Sequence, residues 1–363
     1  EGFSAASDGL GIVAVDRPVV ASLLKVSAAG QAPLAGAEFT LEGVFADGSG
    51  GASGLVFETR SLRTDASGVV ALEGLVVGRT YVLAEATAPS GHALLKGEAA
   101  LEVQPDGTLV LLPESFGPLA EALAVDGSGV RVVVADEPTL FRLSKVDAGD
   151  ASKALAGAKF ELANGKTGET SQLAVGDDGT LELRGVLDVG VPYSLRETEA
   201  PVGYRLDPTV FSFWLDGSGN LVARDAGPYR VVAGEVAVVM ADEPATAVLT
   251  KVSATDGRPL EGAEFTLEGS FADGSREQRL VTDADGNAQI GLLVGGERYT
   301  LTETAPPAGH RWLSGSAVLA VAPDGTLAVV ASGEGASELE QALTVEGGAL
   351  GIRVADEPTR LTL

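Results

Sequence analysis

Apolar and polar positions alternate along this chain in short runs. Tyr193, Leu195 and Glu197 share one face of an extended segment while Ser194 and Arg196 take the other, and Tyr299, Leu301 and Glu303 oppose Thr300 and Thr302 in the same way. A strand sends successive side chains to opposite faces, so each period-two run predicts a half-buried strand. Turn dipeptides separate the runs, among them Asp106-Gly107, Asp178-Gly179, Asp285-Gly286 and Asp324-Gly325. That punctuation predicts an antiparallel sandwich. Helical periodicity fits only a turn or two, at 118–122 and in the matching stretch 337–342.

The runs also recur in order. SLLKVSAAGQAPLAGAEFTLEG, RLSKVDAGDASKALAGAKFEL and VLTKVSATDGRPLEGAEFTLEG form a first block, YVLAEATAPSGH, YSLRETEAPVGY and YTLTETAPPAGH a second, VRVVVADEPT, VAVVMADEPA and LGIRVADEPT a third. Fixed-order self-similarity is the mark of a repeat architecture. It predicts an all-β chain of tandem Ig-like β-sandwich domains arranged end to end: 19–138, 139–244 and 245–363. Residues 11–18 (GIVAVDRP) repeat the third block, so 1–18 are expected to be the last-strand remnant of a preceding repeat. Residues 360–363 match the opening of a further first block. The Asp of one unit and the Lys of the next stand nine positions apart each time (16 to 25, 136 to 145, 242 to 251), with Pro138 and Pro244 stiffening the junctions. The chain thus reads as a window on a longer array.

Composition narrows the picture. A chain of 363 residues exceeds one ordinary domain, and with 45% apolar but only 5% aromatic residues its cores rest on Val, Leu and Ala. Small cores of that kind often need a covalent staple. The absence of cysteine rules out a disulfide, thiol catalysis and Cys-based metal sites. A formal net charge of -26 opposes nucleic-acid phosphates and anionic headgroups, so no nucleic acid partner is expected. No apolar run is long enough for a membrane span, and the N-terminus has no signal-peptide pattern.

Facing then singles out ionisable residues on the wrong side. Lys145 shares its face with Phe141 and Leu143, Asp242 with Val238 and Met240, and Asp356 with Ile352 and Val354, while Glu197 and Glu303 follow Tyr and Leu. Lys25, Glu85 and Asp136 hold the same block positions in the first repeat, where the strands are apolar on both faces and facing decides nothing. Each repeat is therefore expected to bury one Lys, one Glu and one Asp. Desolvation drives an amine and carboxyls towards their neutral forms. A neutral amine against a protonated acid, with a second carboxyl to polarise the carbonyl and shuttle protons, has the parts for amide formation with loss of water. The roles follow as Lys nucleophile, Asp electrophile and Glu proton shuttle. A buried ion network without a covalent bond is the competing reading.

These blocks resemble the collagen-adhesin B-type repeats (Cna-B, or SpaA-like prealbumin fold) of Gram-positive surface proteins and pilins. That family carries a first-strand Lys before a Leu-x-Gly-Ala-x-Phe segment, a Tyr-x-Leu-x-Glu-Thr-x-Ala-Pro-x-Gly-Tyr box and a last-strand Asn or Asp. The resemblance covers 19–363. It places the bonding lysine on Lys25, Lys145 and Lys251, the catalytic acid on Glu85, Glu197 and Glu303, and the partner on Asp136, Asp242 and Asp356. Where many members use Asn and release ammonia, Asp implies water. Ala86 replaces the usual Thr after the catalytic Glu, and His92 and His310 stand where Tyr is usual.

Other candidates carry less. Asp16 has no partner strand and is expected to be unbonded. Residues 282–287 (TDADGN) open like a calcium loop, but Val294 stands where the twelfth-position Glu belongs, so a β-turn is expected and no metal or cofactor. His92 and His310 lie in matching loops without a nucleophile nearby and are read as packing or surface residues. The functional expectation is a non-enzymatic stalk of a cell-surface, wall-attached adhesin or pilin-like protein, whose partners are its neighbouring repeats, with any host protein or glycan met through other regions. The alternative is a ligand-binding adhesin region; Phe211, Phe213 and Leu215 read as a core strand with Trp214 on its opposite face.

Overall fold

The computed structural model describes residues 3–5, 12–14, 19–46, 54–331, 333, 335–346 and 350–359. Asp16 and 360–363 lie outside them, and of 1–18 only the antiparallel pairing of Phe3–Ala5 with Ile12–Ala14 is described. The architecture is all-β, with prealbumin-like sandwiches in tandem. The chain divides into two compact units, one made of Glu1–Phe141, Glu182–Pro192 and Trp214–Val222, the other of Arg142–Leu181, Tyr193–Phe213 and Ala223–Leu363.

In the first unit a four-stranded sheet runs in the order Leu123–Val125, Arg131–Asp136, Ala21–Ser27, Val69–Leu72. A five-stranded sheet runs Leu55–Arg63, Glu38–Ala46, Thr80–Thr87, Ala99–Val103, Leu109–Leu111. Alternate residues of both, including Leu23, Phe39, Leu41, Leu83, Leu101 and Val134, close one core. The second unit repeats this plan over 245–359, with Leu249, Phe265, Leu267, Leu301, Leu319 and Val354 inside. It also holds the central pairings of the second repeat. There Arg142–Asp147 lies beside Ala237–Asp242, and Lys159–Asn164 beside Tyr193–Glu199.

The expected antiparallel pattern holds for the hairpins but not for the pair that matters most. The first and last strands of every repeat run parallel: Lys25 lies opposite Val134 and Ser27 opposite Asp136, Lys145 opposite Met240, and Lys251 opposite Val354 with Ser253 opposite Asp356. Parallel neighbours cannot be joined by a hairpin, and here the whole domain is the crossover between them. The two helical turns appear as Gly117–Ala122 and Glu338–Ala342, each plugging its core with one leucine, Leu119 or Leu339. The second repeat uses aromatics instead, with Phe211 stacked between Phe213 and Tyr229. Phe211, Phe213 and Leu215 are buried and Trp214 is exposed, as the alternation indicates. Residues 282–287 form a turn in which Asp283 accepts from the N–H groups of Asp285 and Asn287. Among the described residues no helix is long and apolar enough to cross a membrane.

A buried tyrosine ties loop to strand in the first and third repeats. The Tyr81 hydroxyl donates to Val44 O at 2.6 Å and accepts from Val76 N–H at 2.8 Å; Tyr299 does the same with Ser270 O at 2.7 Å and Val294 N–H at 2.9 Å. Gly43 and Gly269 leave room for these rings, since a Cβ would fall 2.5 Å and 2.3 Å from the tyrosine Cδ1. Removing the hydroxyl strands one donor and one acceptor, at a cost of about 1–3 kcal/mol. Tyr81→Phe and Tyr299→Phe are accordingly expected to lower the local unfolding free energy read from Leu83 and Leu301 amide exchange by that amount; unchanged protection would deny the staple.

Candidate site: a buried lysine between two carboxyls

The parallel strand pair puts Lys and Asp on one sheet, pointing inward, and the central strand of the other sheet supplies the Glu. In the first repeat Lys25 Nζ lies 2.9 Å from Glu85 Oε1 and 3.0 Å from Asp136 Oδ2. In the second, Lys145 Nζ lies 3.0 Å from Glu197 Oε1 and closer still to Asp242 Oδ1. In the third, Lys251 Nζ lies 2.8 Å from Glu303 Oε1 and 3.3 Å from Asp356 Oδ2. All three lysine side chains are 0% exposed. The structure thus brings together all nine residues singled out from sequence, including those of the first repeat.

Two further features hold each triad, and sequence reasoning missed both. A phenyl ring lies beneath each ammonium, with Nζ 5.6 Å, 5.8 Å and 5.5 Å from the centroids of Phe39, Phe160 and Phe265. Each ring residue pairs across the sheet with the catalytic-position Glu, and in all three repeats the register shifts by a bulge immediately before it. A bulge re-aims the side chain that follows. The second feature is a backbone donor: the free oxygen of the Glu accepts from Leu95 N–H at 2.7 Å, Asp207 N–H at 3.3 Å or Leu313 N–H at 2.7 Å. The recurrent Phe of the first block was a signal for the ring; the amide donor leaves no trace in side-chain identity.

Burial sets the electrostatics. Desolvation raises the Glu85 and Asp136 carboxyls above their ordinary range, against the opposing pull of Lys25. Glu197 is pushed up to about 7 by desolvation, with Lys145 opposing and Asp242 adding to the rise, and Asp242 is raised by the same burial. Hydrogen bonds repay this only in part: Lys145 Nζ donates to Asp242 Oδ1, and Lys251 Nζ donates to Glu303 Oε1 at 2.8 Å. Lys25 Nζ, Glu85 Oε1, Asp136 Oδ2, Asp242 Oδ2 and both Asp356 oxygens are buried without an aligned partner, although Nζ lies in contact range.

The histidines are buried packing residues. Nδ1 of His92 donates to Ser90 O at 3.0 Å while its Nε2 meets Ser27 Oγ at 3.3 Å, and Nδ1 of His310 donates to Ala308 O at 3.2 Å. Tyr204 takes the matching place in the second repeat and donates to Asp147 Oδ2 at 2.7 Å. Among the described residues no group of His, Asp or Glu is arranged to hold a metal ion.

The SpaA prealbumin-like fold domain matches three stretches, 20–112, 140–226 and 245–334. The chain belongs to this family. Each matched stretch contains the Lys and Glu strands of its repeat and stops before the Asp strand. Among solved structures the chain is similar to the TIE protein of Bacillus anthracis, at 19% identity and TM-score 0.40 over 95% of this chain and 52% of that one. It is similar to the pilus adhesin SpaC of Lactobacillus rhamnosus GG, at 17% identity and TM-score 0.36 over 96% of this chain and 45% of that one. BcpA, the major pilin subunit of Bacillus cereus, follows at 15% identity and TM-score 0.29, over 94% of this chain and 100% of that one. The chain therefore spans about half the length of the first two. No curated protein matches it.

A pH dependence follows from Glu197. Lys145→Met removes the positive neighbour that holds this carboxyl down, so its folded value stands at or above about 7, against roughly 4.3 in an unfolded chain. A carboxyl raised on folding contributes stability fully present below the unfolded value and lost as pH rises through the folded one. The second repeat of the variant, followed by Leu195 amide exchange, is expected to open more easily at about pH 8 than at about pH 5. Equal opening at both would contradict the buried charge.

Proposed function

We propose that each repeat condenses its own Lys and Asp into an isopeptide bond, Lys25 to Asp136, Lys145 to Asp242 and Lys251 to Asp356, under Glu85, Glu197 and Glu303. The observation that carries this reading is the threefold recurrence of a solvent-free amine in contact with two carboxyls. In a triad with no net charge, moving one proton from the ammonium to a carboxylate yields an amine and two carboxylic acids, a state free of charge and favoured by low dielectric. The amine attacks the Asp Cγ while the Glu acid hydrogen-bonds its carbonyl. A C–N bond forms, the Glu relays a proton from nitrogen to the departing hydroxyl, and water leaves as the C–O bond breaks. The chemistry consumes its own side chains, so it is a single turnover and not an enzymatic activity.

Placement gives the bond its use. Lys145 and Asp242 lie 97 positions apart in sequence, on the first and last strands of one domain. Closing a loop of about 100 residues contributes on the order of 4–5 kcal/mol in a chain-entropy account. Tension entering at one strand leaves at its neighbour through the bond, and the residues between carry little of it. We infer a stalk or spacer segment of a Gram-positive cell-surface adhesin or pilin-like protein, locked without disulfides in a chain that has no cysteine.

Single-molecule pulling on the whole chain tests this reading. Bonded repeats are expected to show no unfolding step, whereas a chain carrying Glu197→Gln is expected to gain one step of roughly 330 Å, at about 3.4 Å per released residue. Its intact mass should exceed by one water what the bonded second repeat would give. Steps of that length from every repeat of the wild-type chain would defeat the proposal.

A further inference from the structure

Beside each triad, on the outer side of the residue whose N–H anchors the Glu, lies a small shelf of backbone. In the first unit the N–H of Leu94 donates to Gly217 O at 2.9 Å, and in the second the N–H of Leu206 donates to Pro323 O at 2.9 Å. The accepting carbonyl belongs to a tight turn, two residues before a left-handed glycine: Gly219 (φ 80°) and Gly325 (φ 81°). Each glycine lies on the residue before the donor. A Cβ at Gly219 would meet Ala93 Cβ at 3.2 Å, and one at Gly325 would meet Arg205 Cγ and Cδ at 2.4 Å. Both turns are closed by an aspartate: Asp216 accepts from Ser218 and Asn220 N–H, Asp324 from Thr326 N–H and Oγ1. The same turn and the same shelf therefore meet twice, once in each unit.

The third shelf has the same construction. Its floor is fixed by Ala254 N–H donating to Asp356 O at 2.7 Å, as Ala28 does to Asp136 O at 2.7 Å and Ala148 to Asp242 O at 2.9 Å. Arg311 repeats Arg205, and Trp312 stands in the place of Leu94 and Leu206. Among the described residues, however, no carbonyl accepts from the Trp312 N–H, and the indole is 53% exposed. The ring is not loose, since Nε1 donates to Glu303 O at 2.8 Å. A fixed, exposed aromatic beside a free backbone donor is a preformed contact surface.

We propose that the Arg311 and Trp312 shelf receives the Asp-Gly turn of another copy of this repeat. The occupant is defined by the two filled shelves: an outward carbonyl, then a left-handed glycine two residues on, with no side chain between turn and shelf. The first repeat carries such a turn. Pro105 and Asp106 are exposed, Gly107 has φ 87°, and Asp106 accepts from Thr108 N–H at 3.0 Å and Oγ1 at 2.7 Å. A side chain at the glycine would force the turn off the shelf, both by its volume and by the strained φ. Shelf and turn are thus complementary halves of one joint, and this inference stands whether or not the Lys–Asp bonds form.

The test extends the full chain. Residues 19–138 are joined directly after Pro358, which keeps the spacing from Asp356 to the next Lys at nine positions as in the native junctions. The added segment contains no tryptophan, so in a Trp214→Phe background Trp312 is the sole emitter. Tethering supplies a high effective concentration of the turn. Exchange of the Trp312 amide is expected to slow about tenfold or more, with weaker acrylamide quenching of the indole. Gly107→Val in the added copy alone is expected to reverse both changes. Unaltered exchange and quenching with a folded added repeat would overturn the proposal, and so would protection that survives Gly107→Val, because another surface would then be covering the tryptophan.

Discussion

An ammonium and two carboxylates cannot be carried into a dry core unless the fold neutralises them, and every repeat of this chain does so three charges at a time. In the first two repeats desolvation raises the carboxyls and the ammonium pulls them back, and in all three some of the triad's oxygens find no aligned donor. A buried ion cluster left in that state is a poor source of stability. The proposed condensation to an amide would remove two charges and an oxygen, and would leave groups that a β-sandwich core tolerates.

The rest of the fold follows from the demand that three side chains from distant strands meet. Parallel pairing of the first and last strands brings Lys and Asp together, with the Asp two residues beyond the position opposite the Lys. The opposite sheet presents the Glu, a bulge turns the Phe ring under the amine, and a backbone N–H fixes the outer carboxyl oxygen. Aromatic residues are few, so cores built mainly on Leu, Val and Ala gain modestly from burial. The proposed covalent tie between the terminal strands would supply what such cores lack.

Much of this was legible in the sequence because burial leaves a period. Glu197, Glu303, Asp242 and Asp356 stood on apolar faces, and the three blocks recurred in order, which gave both the repeats and the nine site residues. The first repeat was silent on facing: its lysine strand ASLLKVS is apolar on both sides, so Lys25 was placed by position in the block and only the structure shows it enclosed. Parallel pairing was hidden, since register between strands a whole domain apart has no local signature. The amide donors of Leu95, Asp207 and Leu313 were hidden for a different reason, as a backbone group looks alike at every residue.

Peptide mapping after complete tryptic digestion of the denatured chain addresses the central claim most directly. The account predicts branched peptides in which the segment carrying Lys145 is joined to the one carrying Asp242, lighter than their sum by one water, with matching pairs for Lys25 with Asp136 and Lys251 with Asp356. Recovery of the Lys145 and Asp242 segments only as separate linear peptides would contradict it.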